Sequence, residues 1–507
     1  MPDRRIPAVT FDVLETGERD YELSRTRTIC TAKMRQTITV DYLVIGAGAM
    51  GMAFVDTLFT DDKKATFAIV DRYNRPGGHW TKAYPFVRLH QPSNFYGVNS
   101  RDLGEDKIDM VGWNRGLAEL ATSDEILAYY TRVLTQRFLP SHRVTYYPLC
   151  EYTSGGEFYS TVTGMKYSVG NETRIVDATF MRVKVPSMSP PVYSVADDVK
   201  LITPNELAQV SRPYGNYTVV GAGKTGIDAC LWMLSMGIDP SKITWIMPRD
   251  SWLWDRSSAQ PARSSVQVQK TQDHFQSEIE ATMAATSVDD LFKRLDASGA
   301  LLRVSKNDWP TMFRCATVSF AEYEQIKKVE NIIRMGRVKQ ISANQVILER
   351  GELSPVLDTL YIDCTADGLK GYDPVPVFNG KQITLQAVRA CQQVFSAALI
   401  AHVEAEFDND EKKNSLCRPI SHPSKSIDWL RTKIQDHENM SLWNAEPKMV
   451  TWLSESRLNM FKNIRPSLPE NQEEQRLALQ AIEENEVAYM KKMRKLYDDY
   501  KTERVEV

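Results

Sequence analysis

Short runs of β-branched and apolar residues along the chain give way to Gly-rich turns, and each turn is followed by apolar residues in helical spacing. The pattern is complete twice. Asp41-Tyr-Leu-Val-Ile leads into Gly46-Ala-Gly-Ala-Met-Gly51 and then the helix-like stretch Met52 to Phe59. Tyr217-Thr-Val-Val leads into Gly221-Ala-Gly-Lys-Thr-Gly226 and then Ile227 to Leu234. Strand, GxGxxG, helix is the order that gives the motif meaning. The first glycine permits the tight turn, the second lets a pyrophosphate approach the backbone, and the third lets the helix pack on the strand. The helix N-terminus then offers free N–H groups and its positive dipole end to the phosphates.

A second strand completes each copy. Ala65-Thr-Phe-Ala-Ile-Val70 runs into Asp71, where a carboxylate can accept the ribose hydroxyls of an adenosine. Ile243-Thr-Trp-Ile-Met247 runs through Pro248 into Arg249. A cation there, with Lys224 in the loop itself, suits a 2′-phosphate and so NADP rather than NAD; the alternative for Arg249 is a solvated surface charge. Two cradles of unlike charge on one chain imply two different dinucleotides. The expected fold class is therefore α/β, with two Rossmann-like dinucleotide-binding domains, a helical insertion and a helical C-terminal region.

The remaining elements fit around these units. Residues 1–39 read as an irregular leader. A helix is expected from Ser123 to Phe138, then a strand over Arg143–Tyr147. Residues 157–185 alternate as antiparallel strands do, ending in Arg174 to Phe180. Residues 251–330, rich in Ser, Gln and Trp, read as a helical insertion near a substrate. Val338 to Glu349 reads as two strands, Leu360 to Gly368 as a strand feeding a turn, and Thr384 to Glu406 as a long helix. Glu470 to Tyr500 is expected to be a solvated or partner-facing helix, its charges more in keeping with a wet face than with a binding motif.

Composition narrows the choices. At 507 residues the chain is long enough for several domains, and 42% hydrophobic with 25% charged residues is ordinary globular usage. A net charge of -3 argues against a dedicated nucleic-acid binder. No apolar run has the length of a membrane span. The acids mixed among Arg4, Arg5, Arg19, Arg25 and Arg27 do not suit a targeting peptide, so a cytoplasmic address is expected. The 7 cysteines are scattered with no CxxC pair, and no HxH or HExxH occurs, so neither a disulfide scaffold nor a metal site is expected.

The chain at this point resembles the class B flavoprotein monooxygenases, the group of flavin-containing, N-hydroxylating and Baeyer–Villiger enzymes, over roughly residues 40–405. Gly46, Gly48, Ala49, Met50 and Gly51 with Asp71 and Arg72 resemble that family's FAD site. Pro76-Gly-Gly-His-Trp80 resembles its GGxW segment, which places Gly78, His79 and Trp80 beside the flavin pyrophosphate; Trp80 also reads as a core aromatic. Arg88-Leu-His-Gln-Pro92 stands where the family passes the isoalloxazine with an Asn-containing stretch. Gly221, Gly223, Lys224, Thr225, Gly226 and Arg249 resemble the NADPH site. Asp363-Cys-Thr-Ala-Asp-Gly368, including Asp367, resembles the late segment that returns to the flavin. The chain departs from the family at Leu201 to Leu207, which lacks the Gly and His of an FxGxxxHS signature, at His90–Gln91, and at Thr-Ala-Asp-Gly where Ala-Thr-Gly is commoner.

The resemblance implies an FAD-binding domain over 40–200 and 350–405, an NADPH-binding domain over 201–349 with the insertion 251–330, and a helical region over 406–507. It implies an NADPH-consuming monooxygenase that passes oxygen from a flavin C4a-peroxide to nitrogen, sulfur or a ketone of a small organic substrate, with O2 as co-substrate. His90 and Gln91 are the candidates for stabilising hydrogen bonds; the alternative for His90 is a packed histidine that only shapes the pocket. Alternatives of other classes are a dehydrogenase or oxidase of the same fold that releases H2O2, and a non-catalytic NADP(H) sensor. A homo-oligomer is compatible with all three.

Overall fold

The computed structural model describes residues 35–369, 372–462, 469 and 471–505; the leader expected over 1–39 lies almost wholly outside them. Where it is described, Arg35–Ile38 is not irregular but a strand, paired in parallel with Lys166–Val169.

Two parallel sheets organise the molecule. The first runs in the order Phe378–Asn379, Gln382–Thr384, Arg174–Asp177, Tyr42–Ile45, Phe67–Val70, Val144–Tyr147, and every pair except the terminal hairpin is parallel. The second is parallel throughout: Leu201–Ile202, Thr359–Asp363, Asn216–Val220, Ile243–Ile246, Ile332–Ile333. In each sheet the strand leading into the glycine loop lies between the next strand in the chain and one that arrives much later. The strand order therefore reverses at the glycine loop, and a crevice opens there above the carboxyl ends of the strands. Both are Rossmann-like units.

The sequence pattern places three segments differently. Thr359–Asp363 was expected in the unit of the first cradle, but it pairs along Asn216–Val220, with Asp363 opposite Val220. Arg174–Asp177, expected in an antiparallel meander, is a parallel strand beside Tyr42–Ile45. The helix expected from Thr384 starts only at Gln393, because Gln382–Thr384 hydrogen-bonds as a sheet strand to Ile175–Asp177. All three turn on pairings between residues far apart in the chain, which periodicity does not report.

Helix Gln393–Glu406 is buried almost all round and packs along helix Ala49–Asp61, beneath the first glycine loop. Its far end is tied down by Glu404, which accepts from Tyr42 Oη at 2.9 Å, Lys413 Nζ at 2.6 Å and Arg174 Nη1 at 2.7 Å. The insertion is mixed rather than purely helical. Strands Ser251–Asp255 and Met312–Val318 pair in parallel, and helices Ser265–Ala284 and Val288–Ala297 lie between them. Trp252 and Phe292 of this insertion bury against Trp429, Tyr489, Met493 and Leu496, so the last part of helix Gln472–Val505 is docked rather than solvated. Among the described residues no helix is long and apolar enough to cross a membrane.

Candidate functional site

The two glycine loops are built alike, atom for atom in their logic. Gly46 (φ +100°) and Gly221 (φ +127°) adopt a backbone conformation that favours glycine, and a Cβ on Gly221 would lie 2.5 Å from the Cys364 carbonyl oxygen. At the third glycines, a Cβ would lie 2.1 Å from the Gly46 oxygen (Gly51) or 2.4 Å from the Gly221 oxygen (Gly226), so the helices can pack only without one. The middle glycines differ from both. A Cβ on Gly48 would meet nothing nearer than Gly78 Cα at 3.6 Å, and one on Gly223 would meet nothing within 4 Å. Neither protein packing nor backbone angle demands glycine there, since φ is -77° at Gly48 and -80° at Gly223. What a side chain would fill at these two positions is the space above the first turn of helices Ala49–Asp61 and Lys224–Ser235, where free N–H groups point.

A second likeness was missed in the sequence although its signal was there. The strand beside each cradle ends in Asp-x-Thr: Asp177-Ala-Thr179 and Asp363-Cys-Thr365. Asp177 Oδ1 accepts from Thr179 N at 2.8 Å and Thr179 Oγ1 at 2.7 Å; Asp363 Oδ1 accepts from the same two atoms of Thr365 at 3.2 and 2.6 Å. Each turn closes on the first glycine of its loop. The segment Asp363–Gly368, expected to return to the first cradle, therefore completes the second.

Over the first cradle lies a cavity of about 720 Å³, within the range of small-molecule and cofactor sites. Of the residues singled out in the sequence it collects Gly46, Gly48, Ala49, Met50, Asp71, Arg72, Gly78, His79, Trp80, His90 and Gln91. Gly51 lies under the loop, while Gly221, Gly223, Lys224, Thr225, Gly226, Arg249 and Asp367 lie outside this cavity.

At one end of the cavity Asp71 is buried at the tip of its strand, its Oδ2 accepting from Ala47 N at 2.5 Å and its Oδ1 from Tyr73 N at 2.7 Å. Burial raises its pKa, and the two amides pull the other way. Trp80 donates its Nε1–H to Tyr96 Oη at 2.7 Å and forms part of the wall. The same cavity wall also carries Gln392, Gln393, His422, Arg314, Cys315 and Cys391. Among them Gln392 Oε1 and both amide atoms of Gln393, at the N-terminus of helix Gln393–Glu406, and His422 Nδ1 are buried without a hydrogen-bond partner. Unpartnered buried polar atoms on a cavity wall await a polar ligand.

His90 lies on the same wall. Burial, reinforced by the charges of Lys224 and Arg256, lowers its pKa to about 3, so the ring is neutral at any ordinary pH. Its sensitivity to Lys224 places the second glycine loop within electrostatic reach of the first cavity. A direct bridge lies beside it: Tyr84 Oη donates to Asp228 Oδ2 at 2.7 Å, and Asp228 is ion-paired with Lys224. Asp228, on helix Lys224–Ser235, thus links the units, and the Lys224 ammonium is drawn toward it. Gln91 is anchored by donation from Nε2 to the Phe95 carbonyl at 3.3 Å.

Two arginines that sequence patterns did not single out hold this region. Arg256 is buried; it donates to His90 O at 2.6 Å, Asn114 Oδ1 at 2.7 Å and Glu322 Oε2 at 2.8 Å. Arg457, from the C-terminal region, donates through Nη2 to Tyr96 O at 2.7 Å and through Nε to Val98 O at 2.9 Å. At the second cradle Arg249 is exposed, and Arg337 and Arg314 add to the positive potential around it. Asp367 accepts from Arg314 Nη2 at 2.6 Å, and that arginine lines the first cavity.

No family model matches the chain. Its fold is similar to solved structures at low identity. Cyclohexanone monooxygenase from Rhodococcus sp. Phi1 bound to NADP+ matches with a TM-score of 0.43 and 14% identity over 73% of this chain and 85% of that one. A flavin-containing monooxygenase from Stenotrophomonas maltophilia matches with a TM-score of 0.40 and 15% identity over 70% and 87%. An oxidized steroid monooxygenase bound to NADP matches with a TM-score of 0.43 and 12% identity over 73% and 86%. Among curated proteins, the uncharacterized proteins Rv2000 of Mycobacterium tuberculosis (strain ATCC 25618 / H37Rv) and Mb2023 of Mycobacterium bovis (strain ATCC BAA-935 / AF2122/97) are each 51% identical over 433 residues, covering 85% of this chain and 80% of theirs. With half its residues shared over that length, the chain belongs to the family of these mycobacterial proteins.

Proposed function

We propose that the protein is an FAD- and NADPH-dependent monooxygenase acting on a small organic molecule. One observation carries the reading: two cradles whose middle glycines face open space stand beside a single cavity, bridged by Tyr84–Asp228–Lys224 and by the field of Lys224 at His90. An enzyme that moves reducing equivalents between two dinucleotides needs that arrangement.

The residues fit a flavin dinucleotide. The free N–H groups of helix Ala49–Asp61 receive the pyrophosphate over Gly48, and Asp71 accepts from the adenosine ribose. Gln393 and Gln392 offer their unpartnered amide atoms to the polar edge of the ring system, aided by the dipole of helix Gln393–Glu406. When bound, the flavin supplies hydride acceptance and reaction with O2. The protein's share is positioning and proton control. His90, neutral and fixed through its carbonyl by Arg256, donates a hydrogen bond without acting as a ready acid. Gln91 adds a second amide on the same segment. Arg256 and Arg457 keep the 90–98 segment in place by holding its carbonyls.

In the second cradle, Gly223 receives the NADPH pyrophosphate, and Arg249 with Arg337 nearby receives the 2′-phosphate. The test is direct. The purified protein should be yellow and should oxidise NADPH with O2 uptake, and an organic nitrogen, sulfur or ketone substrate should divert oxygen into product. Stoichiometric H2O2 with every substrate offered would make it an oxidase instead. A colourless protein that takes up no FAD would overturn the reading.

A further inference from the structure

We propose that Cys315 and Cys391 form a redox-active disulfide, a second two-electron centre in the cavity; the inference rests on the flavin and NADPH reading above. The two are bonded across 76 residues of sequence, and both line the cavity. One comes from strand Met312–Val318 of the insertion, the other from the residues just before helix Gln393–Glu406. Neither sits in relaxed backbone: φ is +54° at Cys315 and +59° at Cys391, a region that non-glycine residues seldom occupy. The strand around Cys315 also breaks register: Trp252 pairs with Phe313 and Trp254 with Thr317, so Arg314, Cys315 and Ala316 stand opposite Leu253 alone, two residues in excess on their side. Both sulfurs are thus presented by distorted backbone, which clusters at functional positions.

The pairing is selective. Cys150, Cys230, Cys364 and Cys417 are buried and unpaired, and burial pushes each of those thiols up in pKa, away from the reactive thiolate. Cys315 and Cys391 have the opposite surroundings. Arg314 precedes Cys315 and faces the same cavity, and Cys391 stands at the positive end of a 14-residue helix. Both features stabilise a thiolate leaving group. The pair lies on the stretch of wall that carries the unpartnered Gln392 and Gln393 amides, the groups assigned above to the flavin ring system.

The step balances without an outside reductant. The S–S bond takes two electrons from reduced flavin, which is left oxidised, and two protons make the thiols of Cys315 and Cys391. Summed with hydride donation by the nicotinamide, NADPH, one proton and the disulfide become NADP+ and two thiols. O2 reverses it, the dithiol becoming disulfide as O2 becomes H2O2. The loaded enzyme therefore holds four electrons per chain rather than two.

The test is an anaerobic titration of the flavin-loaded full-length protein with NADPH, quenched in acid, labelled with N-ethylmaleimide and mapped by peptide mass. Before reductant, Cys315 and Cys391 should be unlabelled. Complete reduction should take about two NADPH per flavin and label both, whereas Cys315→Ser and Cys391→Ser should each need about one. Full bleaching of the flavin at one equivalent, with both sulfurs unlabelled in excess NADPH, would overturn the inference and leave the functional reading standing. So would labelling of both cysteines before any reductant is added. A protein that retains no flavin refutes the functional reading, and the inference falls with it.

Discussion

Gly223→Ala and Gly226→Ala are single-methyl changes three residues apart, and the structure assigns them opposite consequences. At Gly226 the new Cβ would lie 2.4 Å from the Gly221 carbonyl oxygen, against a practical floor of 3.0 Å, so helix and loop must part by 3.0 - 2.4 = 0.6 Å. That oxygen already accepts from Trp245 Nε1 at 2.7 Å, which limits its retreat. Overpacking of this kind costs about 1–3 kcal/mol, which lowers the melting temperature of a unit this size by roughly 2–4 °C per kcal/mol. At Gly223 the Cβ meets nothing within 4 Å and φ is -80°. The ligand-free variant should therefore be no less stable than wild type, and about 0.4–1 kcal/mol more stable through the stiffer unfolded chain. Its defect should appear only when a pyrophosphate approaches. A methyl group in that contact costs about 1–3 kcal/mol, or roughly 5- to 150-fold in the NADPH dissociation constant. Differential scanning fluorimetry without nucleotide, followed by calorimetric titration with NADPH, separates the two effects. Gly48→Ala and Gly51→Ala form the parallel pair for FAD. A Gly223→Ala protein that melts early yet binds NADPH as wild type does would refute the reasoning.

Other outcomes follow from the same geometry. Arg249→Ala should raise KM for NADPH much more than for NADH; equal effects would remove the 2′-phosphate assignment. Burial lowers the pKa of His79 and His422 to about 4 and of His90 to about 3, from an ordinary 6.5, so all three are neutral in the fold and must charge on acid unfolding. Their contribution to stability is full above about pH 6.5 and is lost as pH falls toward 3–4; His422→Gln should flatten part of that acid limb in urea denaturation followed across pH. Burial would raise the pKa of Glu278, but Lys433 and His274 hold it down to about 2. Lys433→Met, which strands that carboxylate between helices Ser265–Ala284 and Asp428–Asn444, should cost about 3–5 kcal/mol at pH 7 in denaturant midpoint. The deficit should shrink as pH falls below the ordinary 4.5, because the wild-type contribution is lost as Glu278 protonates.

The cradles were legible because each is local: strand, glycines, helix and the next strand all lie within some thirty residues, and the glycines report close approach directly. What closes each cradle was not. Arg174–Asp177 and Thr359–Asp363 reach their sheets from more than a hundred residues away, and nothing in their own alternation says which glycine loop they will flank. The repeated Asp-x-Thr at 177–179 and 363–365 was the available signal; noticing it would have moved the second copy to the second cradle. Arg256 and Arg457 act on backbone carbonyls, which carry no sequence signature. The Cys315–Cys391 bond joins residues without motif spacing, and an odd scattering of cysteines argued for no disulfide scaffold while saying nothing of a single bond.

Native mass spectrometry of the full-length protein with FAD and NADP+ both present tests the two-cradle claim most directly. A single chain should carry one of each at once, with Gly48→Ala shedding the FAD alone and Gly223→Ala the NADP+ alone. A chain that never carries more than one dinucleotide, or variants that lose both together, would contradict it.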